Sequence, residues 1–126
     1  MVTFNKPITS ILDNKTAAAS ASTSLADCTA IDTNGVLSLG IGYRVTYHGS
    51  ATAAGVLKLF ASYDGTNYDD QVYDQWTLPF LAGASYEGHY SVHPGPRYLK
   101  ALVTNLDTVQ SITGIYIYSE PQTISA

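Results

Sequence analysis

Residues 55–68 alternate in polarity with a period of two and then break sharply, and this limits what the chain can fold into. Leu57, Leu59, Ala61 and Tyr63 share one face, while Val56, Lys58, Phe60 and Ser62 take the other. Successive side chains of a strand point to opposite faces, whereas a helix would repeat its apolar residues every three or four positions. Asp64-Gly65-Thr66-Asn67 follows, where Gly65 can enter positive φ without a Cβ clash and Asn67 tolerates the same region. The stretch predicts a strand running into a hairpin turn.

The same alternation recurs on both sides of it. Ile41, Tyr43, Val45 and Tyr47 alternate with Gly42, Arg44, Thr46 and His48; Tyr86, Gly88, Tyr90 and Val92 alternate with Glu87, His89, Ser91 and His93. Leu99, Ala101 and Val103 form the inward set of a further strand. A weak strand over 25–31 closes on Asp32-Thr33-Asn34-Gly35, another with Val72, Trp76 and Leu78 on one side stops near Pro79, and His93-Pro94-Gly95-Pro96 makes a corner. About seven or eight short strands without a helical stretch predict an all-β chain, an antiparallel β-sandwich or jelly roll. Tyr43, Val45, Leu57, Leu59, Leu99, Ala101, Ile115 and Ile117 are the expected core. In the last strand Ile112, Gly114, Tyr116 and Tyr118 alternate with Thr113, Ile115, Ile117 and Ser119, so both faces read as apolar and the strand is expected to be covered twice.

The start of the chain is different. Phe4, Ile8, Ile11 and Leu12 are spaced around Pro7 too irregularly for a helix, which fits an extended arm or a short edge strand, and residues 16–24 are almost entirely Ala, Ser and Thr. Ser and Thr compete for the backbone and offer nothing large to pack, so residues 1–24 read as an extended N-terminal arm or linker, and 25–126 as a single β-sandwich domain. The arm is expected to lie against its own domain or to reach a neighbouring subunit. Phe4, Ile8, Ile11, Leu12, Tyr116 and Tyr118 are the candidate interface residues.

Composition narrows the function. Only 13% of residues are charged, the net charge is −4, and the six basic residues are scattered, which argues against a nucleic-acid partner held through phosphates. No apolar run approaches the roughly 20 residues that span a bilayer. Residues 1–24 lack the basic start and apolar centre of a signal peptide, so synthesis in the cytoplasm without export through a signal is expected. Cys28, the single cysteine, allows no internal disulfide and reads as a small buried apolar residue. Ten Tyr supply side chains that are apolar in body and polar at the tip, suited to half-wet contacts.

Residue clusters that could carry chemistry are weak. Asp64, Asn67, Asp69, Asp70 and Asp74 gather oxygen ligands, but without the glycine and terminal glutamate of an EF-hand loop they read as a solvated turn. His89 and His93, four apart in an extended segment, would stand about 13 Å from each other, too far to share a metal. His48 lies on a polar face like them. No nucleophile motif, phosphate loop or zinc spacing is present, and Asp74 with Glu87 is a pair that any acidic domain offers. The expectation is a protein that is not an enzyme, with no metal and no cofactor. Tyr68, Tyr73 and Trp76 are candidates for an aromatic platform that would stack on sugar rings, the alternative being a core Trp with two Tyr on a hairpin rim.

One resemblance spans residues 36–118. Gly42-Tyr43-Arg44-Val45, a small-residue loop containing Gly49 and Gly55, the run 57–68 with Ser62-Tyr63-Asp64-Gly65-Thr66-Asn67-Tyr68, then Pro96-Arg97-Tyr98-Leu99-Lys100 and an Ile- and Tyr-rich last strand follow in order. This order resembles small β-sandwich structural proteins of tailed-bacteriophage virions, which carry a Ser-x-Asp-Gly-x-Asn-aromatic turn and a Tyr-Arg-Tyr-x-Arg-like strand; Arg97-Tyr98-Leu99-Lys100 approximates the second motif. The resemblance implies a virion component, either a capsid decoration (cement) protein or a tail-associated protein. Its partners would be the major capsid protein or other virion proteins, bound through the arm of residues 1–24 and an exposed β surface. It would be a homo-oligomer, a trimer if it follows the cement proteins. The family has no catalytic residues to carry over. A glycan-binding module using the aromatic platform is the alternative from a different class.

Overall fold

The computed structural model describes residues 3–125, with side chains from residue 5 to residue 124. Nine strands, β1 (Thr3–Asn5), β2 (Thr9–Ala17), β3 (Ile31–Asp32), β4 (Val36–Tyr47), β5 (Gly55–Ser62), β6 (Asp74–Thr77), β7 (Ser85–Val92), β8 (Tyr98–Asn105) and β9 (Ile112–Ser125), form two antiparallel sheets. In the first, the order is β1-β9-β4-β7, with β2 following β1 along the same edge of β9; in the second it is β3-β8-β5-β6. The sheets pack through the alternating inward residues, as the pattern predicts. Tyr43, Val45, Leu57, Leu59, Leu99, Ala101, Ile115 and Ile117 are all buried, and the chain is a β-sandwich.

Turn chemistry works as expected at Gly65, whose φ is +80°. The hairpin is wider than the tight turn the residues suggest, because β6 begins only at Asp74, opposite Leu59. Tyr63 lies beyond the end of β5 and is exposed instead of continuing the inward face. The weak strand expected over 25–31 is a 3₁₀ turn at Leu25–Asp27 followed by the two-residue β3. Ser24 caps that turn, its hydroxyl accepting from the Ala26 N–H.

The N-terminal segment is built into the sandwich. Of the two forms open to residues 4–12, the edge strand is the one found for residues 9–12, and it runs on to Ala17: β2 pairs with β9, and register shifts at three points turn Leu12 and Ala17, both fully buried, into the core beside Ile11. Residues 18–30 then cross to the second sheet. There the Thr23 hydroxyl oxygen accepts from the Val103 N–H, and the Cys28 sulfur from the Ala101 N–H. Met1 and Val2 lie outside the described residues.

Strand β9 corrects a further expectation. Gly114 has φ +56°, and the register against β4 shifts between Arg44 and Thr46. The bulge changes the phase of the alternation, so Ile112, Ile115 and Ile117 all face the core. Only Tyr116 and Tyr118 remain as large apolar groups among residues 112–119 on the outer face, and β2 covers the edge of β9, not that face.

Candidate interaction surfaces

The sandwich has two unlike ends. At one, the loops 18–24, 48–54, 78–84 and 106–111 meet, tied by Ser20 N–H to Asp107 C=O, Leu106 N–H to Ala54 C=O and Gly83 N–H to His48 C=O. Asp107 organises this end. Its carboxylate accepts from the N–H groups of Thr52, Val109 and Gln110 at 2.7, 2.8 and 2.8 Å. Those donors, led by Gln110, hold its carboxyl far below the usual range. Asn105, buried beside it, donates from its amide to the carbonyls of Ala17, Ala18 and Gln110. On the other flank the Tyr47 ring meets Phe80 edge-on at 4.9 Å, and its hydroxyl accepts from the Gly55 N–H.

This scaffold holds large apolar side chains out in solvent: Phe80 is 37% exposed, Leu81 61%, Leu106 51% and Val109 75%. The four loops contain one carboxylate, the buried Asp107, and one histidine, His48, with no Lys or Arg. The result is a rigid apolar tip without exposed formal charge apart from any carried by His48.

At the opposite end lie the loops 32–35, 63–73 and 93–97, and they are polar. Arg97 forms a two-point ion pair with Asp32, Nε to Oδ1 at 2.7 Å. Asp64 closes its own loop. It accepts from the N–H groups of Asn67 and Thr66, which hold its carboxyl well below the usual range, and Asp69 and Asp70 are exposed beside it. These bonds account for Asp64 and Asn67 as turn residues. Among the described residues no three His, Cys, Asp or Glu side chains converge on a metal-sized site.

The outer face of the first sheet carries a shallow depression of about 270 Å³ lined by Ile8, Gly42, Glu87, His89, Tyr118 and Glu120 among others. It exists because β4 places Gly40 and Gly42 on this face: a Cβ at position 42 would stand 3.2 Å from the His89 ring. His89 therefore reaches across β4 to Glu120, Nε2 to Oε1 at 3.4 Å. Arg44 and Glu87 pair beside it at 3.5 Å. Tyr116 and Tyr118 run parallel with centroids 6.3 Å apart.

Of the expected interface residues, Ile8 is exposed and Tyr116 and Tyr118 are half-buried on this face, so these three are accessible to a partner. Ile11 and Leu12 are not, being 3% and 0% exposed in the core. Phe4 falls outside the residues whose side chains are described.

The three aromatics expected to form a platform do not come together. Trp76 stacks on Tyr90 at 4.6 Å, which in turn stacks on Tyr43 at 5.5 Å, closing the open side between β6 and β7. Tyr73 donates to the His93 carbonyl. Tyr68 lies on the outer face of the second sheet, its ring under the Lys100 ammonium at 5.1 Å. The apolar tip escaped the sequence reading, although Leu78-Pro79-Phe80-Leu81, a proline-containing connection with large apolar residues, carried the signal.

No protein-family model matches the chain, and no curated protein matches it. Solved structures do share the fold. The PBSX exported protein XepA superposes with a TM-score of 0.55 at 16% identity over 95% of this chain and 38% of that one. A protein of the T13 IBDV viral particle gives 0.51 at 11% identity over 96% and 34%. Dimeric latent PorU from Porphyromonas gingivalis gives 0.52 at 11% identity over 97% and 12%. The chain thus spans well under half the length of each of these, and at such identities the likeness is one of fold.

Proposed function

We propose that this chain is a non-enzymatic structural component of a virion, a capsid decoration (cement) protein that docks on the viral shell through its apolar tip. The observation that carries the reading is the charge-poor end formed by Phe80, Leu81, Leu106 and Val109, held rigid by Asn105 and Asp107. A preorganised apolar tip loses little conformational freedom on docking, and repetition of a modest contact over a lattice multiplies its effect. The resemblance over residues 36–118 and a fold shared with a protein of a viral particle support the same assignment. Ile8, Tyr116 and Tyr118 on the outer face of the first sheet supply a second contact area.

Co-sedimentation with purified capsids of the virus whose genome encodes the chain tests this. Wild-type protein is expected to pellet with capsids, and the double variant Leu81→Asp, Val109→Asp to stay in the supernatant while keeping the wild-type melting curve. Both side chains already face water, so the folded state tolerates the change. Pelleting with isolated tails instead of capsids would move the assignment to the tail; binding to neither would remove the virion reading.

A further inference from the structure

Strand β7 is the last strand of the first sheet on its side, and among the described residues no strand lies beyond it. Its pairing with β4 runs from Leu39 opposite Val92 to Thr46 opposite Ser85 without a register shift. The other edges are blunted: β2 is broken by three register shifts and carries Asp13 and Lys15, β3 has two residues and β6 four. An eight-residue regular edge left open would invite uncontrolled pairing, so its sequence matters.

That sequence is self-complementary. Residues 85–91 read Ser-Tyr-Glu-Gly-His-Tyr-Ser, the same in both directions except that Glu87 and His89 change places. Two such strands, antiparallel about a two-fold axis at Gly88, set Ser85 against Ser91, Tyr86 against Tyr90 and Glu87 against His89. We propose that β7 pairs in this register with β7 of a second copy, joining two sandwiches through one continuous sheet. A two-fold pairing of this kind is isologous and closes as a dimer.

The backbone agrees with the register. Tyr47 N–H donates to Ala84 C=O at 3.0 Å. Every second residue along an antiparallel strand bonds to the same neighbour, so Tyr86, Gly88 and Tyr90 bond toward β4. The N–H and C=O groups of Ser85, Glu87, His89 and Ser91 then point to the free edge. These are the residues that the two-fold at Gly88 sets opposite one another, so each meets a partner. Gly88 occupies the closest backbone approach, where the missing side chain helps.

The side chains agree as well. On the outer face, Arg44 stands beside Glu87 and Glu120 beside His89. Across the axis these become a row Arg44, Glu87, His89 of the second copy, Glu120 of the second copy, in which the imidazole stands between two carboxylates, donating to one of them when neutral and to both when protonated. On the inner side, half-buried Tyr86 and Tyr90 of the two copies face each other, extending the Tyr43, Tyr90 and Trp76 stack.

Sedimentation equilibrium of the purified chain and two variants tests the pairing. Wild type is expected at twice the chain mass of 13.5 kDa. His89→Pro removes an edge N–H without touching the β4 ladder, and His89→Glu sets a carboxylate against Glu87 at both ends of the pair. Each is expected to weaken self-association by about tenfold or more with the β-sheet circular dichroism retained. If the proline variant fails to fold, His89→Glu decides alone, with an unchanged melting curve showing that the loss of the contact to Glu120 within the chain leaves the fold intact. A wild type that stays monomeric up to roughly 100 μM, or a dimer that folded variants leave unchanged, overturns the proposal.

Discussion

A methyl group at position 88 would stand 2.6 Å from the Tyr43 hydroxyl and 2.9 Å from its ring, closer than packed atoms come. Gly88 is therefore required by the ring that fills its place, and that ring continues through Tyr90 to Trp76. Burial pushes the Tyr43 hydroxyl up to about 12, so that hydroxyl stays neutral over the working range of pH. Gly88→Ala is expected to destabilise the fold by about 1–3 kcal/mol in urea titration, as overpacked cores do. Gly49→Ala, with nothing within 4 Å of the added carbon and ordinary φ, should cost less than about 1 kcal/mol. Equal effects at the two positions would mean that the ring does not need the gap.

At the level of elements, β2 and β9 decide more than their residue patterns suggested. The Gly114 bulge puts Ile112 in phase with Ile115 and Ile117, and the shifts in β2 seat Leu12 beside them. Leu12→Ala is expected to cost about 2–5 kcal/mol, the range for emptying a buried leucine site, whereas Ile8→Ala should stay within about 0.5 kcal/mol. Urea unfolding of the two variants distinguishes an integral edge strand from a loose arm, for which both substitutions would be neutral. The bulges serve a second purpose. They make β2 a poor template for pairing, which leaves β7 as the regular edge.

For the molecule as a whole, the loops sort into an apolar end braced by Asp107 and a polar end braced by Asp64 and by the Asp32–Arg97 pair. Asp107 and Asp64 accept their backbone N–H groups more strongly when ionised, and both are held below the ordinary value of 3.8 in the folded state. A depressed folded pKa contributes stability that is complete above the unfolded value and is lost as pH falls through the folded one. The melting temperature should thus be flat above about pH 5 and fall from about pH 4 downward. Asp64→Asn and Asp107→Asn should lower the plateau and flatten that fall; an unchanged acid slope in both would assign acid sensitivity to other groups. The two ends also suit different neighbours. In the assignment proposed above, the apolar tip meets the shell and the β7 edge meets a second copy.

Period-two alternation in β4, β5, β7 and β8 was enough to determine an antiparallel sandwich and its core, because burying one face of a strand needs only residues two apart to be apolar. Asp64-Gly65 and His93-Pro94-Gly95-Pro96 marked where the chain turns, since those residues restrict their own backbone. Residues 4–12 left an arm and an edge strand equally open, because an edge strand interrupted by bulges loses the alternation, and Leu12 finds its place only through β9. The same holds for Ile112, whose direction depends on one positive φ at Gly114. Nor could any local pattern gather Phe80, Leu81, Leu106 and Val109 at one tip or separate Tyr68 from Trp76. These are relations between residues far apart in sequence, and only the packing of the two sheets decides them.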